Sequence, residues 1–503
     1  MNSTEDARRA GRGLVSIAGA KVYFIVTGYA VQLLLPRIFG EAKDFGLYSA
    51  TMSGVAILTN VLIVATIQSV SKFVSEDETR AEATLRQGLR VQTLVGGGLA
   101  LGLFVIAPVI SRLLLDDQLT RLVRVASIVV FAYALYAAVV GSLNGRHWFA
   151  KQARLDVLFS TLRTLGILIG AAIGFGAIGA VAGFAAASAT ILSFSLIWIG
   201  SGQRGEPIPL RRWIGFMAPI WTYQVCLNGM LMIDLQVLKR SATEIALGAA
   251  LTGQAAVDLA NQYVGYYRAA QTFAFVPYQL MISMTFVVFP MISKATTSGN
   301  REAARSTIQH AMRFSLLLLL LFAAPMSGAA YGVMRLAYPA DYLAGAPALS
   351  ILVFGVAAFA LFAVGATAIS GAGKPSVAAL IAAVSLLVVM VANRVLVMRA
   401  GLGGQTLAAA ATGTAVGMLV ALVLSAWVIY RSFGVFIPAL TWLRGLLAAG
   451  AGYAAAGAVP NDSRLMAVAA LILGFACSVA VLLVTRELTQ DDWHALRRVV
   501  RSD

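Results

Sequence analysis

Of 503 residues, 59% are hydrophobic and 12% charged, with a mean hydropathy of +0.82. Soluble domains carry about twice that charged share, so a water-soluble protein is excluded and an integral membrane protein is expected. The net charge of +16 would suggest nucleic acid in a soluble chain, but here Lys and Arg lie mostly in short connections between apolar runs and read as topology signals, so no nucleic-acid partner is expected.

Residues 1–13 are polar and basic, and the apolar run after them is too long for a cleavable signal, so the first helix is its own insertion signal. A spanning helix needs about 20 mostly apolar residues. Fourteen candidates meet that need: Leu14–Leu35, Tyr48–Val70, Val91–Leu115, Leu122–Leu143, Val157–Phe175, Ala177–Ile199, Trp213–Leu238, Tyr263–Met291, Phe314–Met334, Leu349–Ile369, Val377–Met398, Thr406–Trp427, Leu446–Val459 and Leu465–Val484. The first is expected to stop at Pro36, and the fifth and sixth are separated only by Gly174, Gly176 and Gly179. Lys239 to Gln262 reads as a linker with a short surface helix. In the tail, Trp493, Leu496, Val499 and Val500 at helical spacing predict an interfacial helix. With the N-terminus inside, Lys and Arg are about twice as frequent in the inner loops as in the outer ones, which supports two cytoplasmic termini.

Weak internal echoes recur at a nearly constant offset of about 220 residues, as expected for parallel repeats about an axis along the membrane normal. FGLYSA with Tyr48 matches VGYYRA with Tyr267, Pro108 matches Pro325, and SLNGRHWFA with Gly145 matches SGAGKPSVA with Gly373. The expected fold is an all-α integral membrane protein with two six-helix lobes related by a pseudo-two-fold axis, plus a C-terminal helix pair. The expected divisions are 1–200, 201–430 and 431–503.

A charge at membrane depth is expensive and should face a bundle interior or a watery cavity. On helical spacing, Lys21, Gly28 and Gln32 share a face, as do Asp156, Ser160 and Arg163, and Arg268, Thr272, Phe275 and Gln279; Gln224 and Asn228 stand one turn apart. This set of cations would stabilise a phosphate-bearing cargo. The alternative is snorkelling toward an interface, which Arg313, at a helix start, suits better. Asp234, the acid well inside an apolar run, is the candidate for a coupling proton or cation or for an ion pair with a cavity cation; the alternative, five residues before Lys239, is that it marks the outer interface. Tyr23, Tyr29, Trp221, Tyr223, Tyr263, Tyr266 and Tyr267 are candidates for sugar stacking or for an interface belt. Cys226 and Cys477 lie far apart in apolar runs, and His147, His310 and His494 have no ligand spacing, so neither a disulfide framework nor a metal site is expected. Pro375 after Gly373 and Lys374 breaks the phosphate-loop pattern, so ATP hydrolysis, a catalytic site and a cofactor are not expected.

Lys21, Phe24 and Gly28, then LPRIFG at Leu35–Gly40 and FGLYSA at Phe45–Ala50, GYYRAA at Gly265–Ala270 and FPMISK at Phe289–Lys294 resemble a polysaccharide-biosynthesis flippase. The wider group is the multidrug/oligosaccharidyl-lipid/polysaccharide exporter superfamily. The resemblance implies a V-shaped transporter, not an enzyme, that flips a polyprenyl-diphosphate-linked oligosaccharide by alternating access in a bacterial cytoplasmic membrane. It implies that cavity cations hold the diphosphate, and Lys21, Arg163 and Arg268 are the positions that would do so, with Gln32, Gln224 and Asn228 beside them. The expected partners are the lipid-linked oligosaccharide, membrane lipids and a coupling proton, sodium ion or membrane potential, acting on a monomer. Lipid-linked peptidoglycan precursor flippases also fit fourteen helices, but that branch usually has an Arg-Asp pair in its first helix, whereas Val22 follows Lys21 here. A multidrug exporter and a membrane polysaccharide polymerase or ligase are the remaining alternatives.

Overall fold

The computed structural model describes residues 3–297, 300–460 and 462–487, with side chains described for 16–281, 291–295, 300–460 and 462–487. In that environment each spanning segment must satisfy its backbone internally, and sixteen α-helices carry the described residues. They are α1 (Ser3–Phe39), α2 (Ala42–Glu76), α3 (Ala81–Leu114), α4 (Gln118–Gly145), α5 (Phe149–Gly170), α6 (Gly176–Ile199), α7 (Leu210–Gly248) and α8 (Gly253–Ala274). The rest are α9 (Val276–Thr297), α10 (Arg301–Gly328), α11 (Ala330–Ala337), α12 (Ala346–Gly371), α13 (Pro375–Ala400), α14 (Thr406–Phe433), α15 (Ala439–Gly457) and α16 (Arg464–Val484). Eleven stretches among the described residues are long and apolar enough to cross a membrane; α5 through α6 form one of them, and α8, α9 and α15 are not included. The expected tail helix around Trp493 lies outside the described residues.

Several boundaries differ from the sequence expectation. Pro36 does not stop α1 but lies in its last turn; the stop is Gly40, at φ +76°, where L side chains are strained. The expected linker from Lys239 to Gln262 is almost entirely helix, because α7 continues to Gly248 and α8 starts at Gly253. The expected eighth span is two helices parted at Phe275, and the expected ninth parts at Ala329, whose N–H bonds the Pro325 carbonyl at 2.9 Å. The echo around Gly145 and Gly373 is displaced by two residues. His147 (φ +56°) and Gly373 (φ +81°) hold the same left-handed position after α4 and α12, and Trp148 and Lys374 donate to Leu143 and Ile369 to close matching turns.

By internal contacts the chain divides into two compact units, Met1–Gly265 and Tyr266–Asp503. Within the first unit α7 packs on α2: Trp213, fully buried, lies 4.8 Å from the Phe73 ring in a core with Val70, Val74, Ala138 and Met217. In the first unit α2 packs on α4 and α7, α3 on α4, and α1 on α5. The α5–α6 hairpin is closed by glycines: a Cβ on Gly183 would lie 1.8 Å from the Gly166 carbonyl oxygen, and one on Gly179 would lie 2.1 Å from that of Gly170. Only backbones meet here, so α5 is held at a distance that no larger residue permits. Gly183→Ala is expected to force the pair apart and to lower the thermal midpoint of the purified protein, at a cost of about 1–3 kcal/mol; an unchanged midpoint would contradict the close approach.

In the second unit α12 packs on α9, α10 and α14, and α15 and α16 pack on α10. Just past α16, Glu487 accepts hydrogen bonds from Arg313 Nε (2.8 Å), Arg444 (2.9 Å) and the Thr441 hydroxyl (2.7 Å). Burial pushes this carboxyl up, but the three donors outweigh it and hold it below its ordinary value. A depressed carboxylate stabilises the fold above the ordinary carboxylate range and loses that contribution as the pH falls through the folded value. The thermal midpoint is therefore expected to drop below about pH 4, and Glu487→Gln is expected to flatten that part of the profile. This pairing makes Arg313 a structural residue, and it lies in the middle of α10 rather than at the expected helix start, because α10 begins twelve residues earlier, at Arg301.

Candidate functional site

The first unit brings the predicted cationic faces of α1 and α5 together. Lys21 Nζ lies 3.1 Å from Asp156 Oδ2, with the lysine side chain 58% exposed and the aspartate 9%. Two polar contacts hold the helices in register around this pair: Tyr23 with Thr161 (2.9 Å) and the Thr27 hydroxyl with that of Ser160. Further along, the Arg163 guanidinium stacks over the Phe24 ring at 4.2 Å. A Cβ on Gly28 would come within 3.4 Å of that guanidinium, so Gly28 leaves it room. Phe159 carries the aromatic wall behind, with Tyr133 at 4.9 Å and Tyr136 at 5.4 Å. The arrangement has two cations on neighbouring helices, one of them reachable from outside the bundle, and a single carboxylate between the ammonium and the core. Such a site favours anions carrying several oxygens.

A second polar patch joins α2 to α7. Asn60 donates to the Asn228 side-chain oxygen (2.9 Å), and Asn228 donates to the Gln224 carbonyl (2.9 Å). Gln224 and Asn228 were legible from their spacing, whereas Asn60 was not, since one amide in the long run of α2 carries no periodic signal. Gln32 is half-buried on α1. Arg268 belongs to the second unit, where its guanidinium donates to the buried Gln271 (3.2 Å).

Asp234 is fully buried and its Oδ1 accepts from the Leu235 N–H at 2.9 Å. The aromatic candidates divide: Tyr267 is fully buried with its hydroxyl 3.0 Å from Thr414, which makes it core, and Tyr266 packs edge-on against Tyr342. Sequence reading missed a buried ionic cluster altogether. Lys239 Nζ lies 2.5 Å from Asp116 Oδ2, with side chains 0% and 1% exposed, and donates to Asn261, whose own amide donates to Asp116 at 3.2 Å. Among the described residues no group of His, Cys, Asp and Glu is gathered as a metal site would be.

Comparison with known proteins follows from this architecture. The family model for "Polysaccharide biosynthesis protein" matches residues 34–347, more than half of the chain. A Bacillus subtilis (strain 168) membrane protein, YabM, is 23% identical over 372 residues, which cover 70% of this chain and 68% of that protein. Among solved structures, the lipid II flippase MurJ in an inward closed conformation superposes with a TM-score of 0.75 at 15% identity, covering 94% of this chain and 99% of its own. An inward-facing multidrug resistance MATE family transporter of the MOP superfamily gives 0.64 at 14% identity, covering 80% of this chain and 94% of its own. A MOP superfamily transporter from Pyrococcus furiosus, whose binding pocket is described as reversed in polarity, gives 0.59 at 15% identity, covering 84% and 96%. The chain belongs to the polysaccharide biosynthesis protein family, as a multi-pass, all-helical membrane protein with the fold of the MOP superfamily transporters.

Proposed function

We propose that this protein is a secondary transporter that moves a polyprenyl-diphosphate-linked oligosaccharide from the inner to the outer leaflet of a bacterial cytoplasmic membrane by alternating access, with both termini cytoplasmic. The observation that carries the reading is Lys21: the one charged residue of the stretch Leu14–Leu35 within α1, more than half exposed, with Arg163 on the neighbouring helix. An acyl chain needs no help in lipid, so the work lies in carrying charge and sugar through hydrocarbon. In this reading Lys21 and Arg163 hold the diphosphate, and Arg268 is a candidate cation within the second unit. The amides Asn60, Gln224, Asn228 and Gln32 serve sugar hydroxyls, and Asp234 is the candidate for a coupling ion.

A second reading, a lipid-linked peptidoglycan precursor as cargo, is favoured by the nearly full-length likeness to the lipid II flippase, which covers 94% of this chain; the missing acid after Lys21 weighs against it. Proteoliposomes carrying a fluorescent lipid-linked oligosaccharide or lipid II separate the two. Faster translocation of the oligosaccharide is expected, and movement of lipid II alone would reverse the assignment.

A further inference from the structure

The Lys21–Asp156 pair is asymmetric, with an exposed cation and a buried anion. Around the carboxylate, α4 presents only the phenols Tyr133 and Tyr136, α6 has no ionisable residue, and Arg163, two turns along α5, is turned over Phe24. Among the described residues Lys21 is thus the cation paired with Asp156. It is also the cation that the proposed function gives to the cargo.

We propose that Asp156 is a built-in counter-ion that competes with the cargo's diphosphate for Lys21, held off while the head group is bound and reclaiming the lysine as it leaves. The inference rests on the reading of Lys21 as a head-group ligand. A lysine ammonium is a compact charge on a flexible stem, so its side chain can exchange partners without moving its helix. The contacts of Tyr23 with Thr161 and of Thr27 with Ser160 keep α1 and α5 in register while it does so. A buried carboxylate deprived of its partner is costly, so every anion that draws Lys21 away is bound less tightly than Lys21 alone would bind it. The same competition speeds release, which makes Asp156 a positioning residue that sets affinity against turnover.

The test uses the full-length protein in nanodiscs, titrated calorimetrically with farnesyl diphosphate and with farnesol as the uncharged control, alongside translocation in proteoliposomes. Asp156→Asn is expected to bind the diphosphate about tenfold more tightly and to translocate more slowly, while Asp156→Glu stays close to wild type. In a Lys21→Met background the Asp156→Asn change is expected to have no effect on affinity. Unchanged affinity in Asp156→Asn, or the same gain without Lys21, overturns the inference alone, provided that wild type prefers the diphosphate through Lys21. If wild type binds farnesyl diphosphate no better than farnesol, or Lys21→Met binds it as wild type does, the head-group reading fails and this inference falls with it. Asp156→Ser, equally uncharged and smaller, reports the same quantity should the Asn variant not be recovered.

Discussion

Replacing Lys21 and Arg163 together with methionine is expected to cut head-group translocation about 100-fold or more while the protein still folds. Hydrogen bonds to charged groups are each worth about 1.5–3 kcal/mol, and every 1.4 kcal/mol is about tenfold, so each single variant should lose about ten- to 100-fold. Methionine suits both positions: it keeps an unbranched apolar stem over Phe24 in place of Arg163 and removes the charge of Lys21 without opening a cavity. The Tyr23–Thr161 contact (2.9 Å) and the Thr27–Ser160 contact do not involve either cation, so the α1–α5 pairing should survive. The measurement is the rate at which a fluorescent lipid-linked oligosaccharide crosses proteoliposome membranes, beside the thermal midpoint of each variant. Undiminished flipping by the double variant would remove both residues from the mechanism.

Lys239→Met is expected to produce the largest loss of stability, about 3–5 kcal/mol, because removing one partner of a buried pair strands the other. Asp116 is 1% exposed and would keep only the Asn261 amide as a side-chain partner. The cluster ties the turn after α3 to the last third of α7 and to α8, and beside it Arg240 donates to the Leu113 carbonyl at 2.8 Å. The backbones also come very close here, since a Cβ on Gly46 would lie 1.7 Å from the Asn261 carbonyl oxygen. The stranded charge would therefore have little room to relax toward water. Combining Asp116→Leu with Lys239→Met is expected to recover most of the loss, since well-packed apolar groups often replace a buried pair without penalty. Thermal melts of the single and double variants in detergent decide this, and a double variant as unstable as the sum of its singles would show that the two residues act independently.

The sequence by itself determined that the chain is an all-helical membrane protein, and it located most of the helices. Apolar runs of spanning length leave the backbone no other way to satisfy itself, and helical spacing alone aligned Lys21 with Gln32 and Asp156 with Arg163. What spacing cannot report is which helix faces which. That Asp156 meets Lys21 rather than Arg163, that Asn60 meets Asn228, and that Lys239 is buried against Asp116 across 123 residues of chain all depend on packing. Lys239 shows the difference most plainly. By composition it opens a linker, yet α7 runs straight through it because the turn after α3 supplies the anion and α8 the amide that let a charge lie in a dry core. Periodicity records how each residue is oriented about its own helix axis, and only the tertiary structure decided which charges are neutralised, through contacts between residues far apart in the chain.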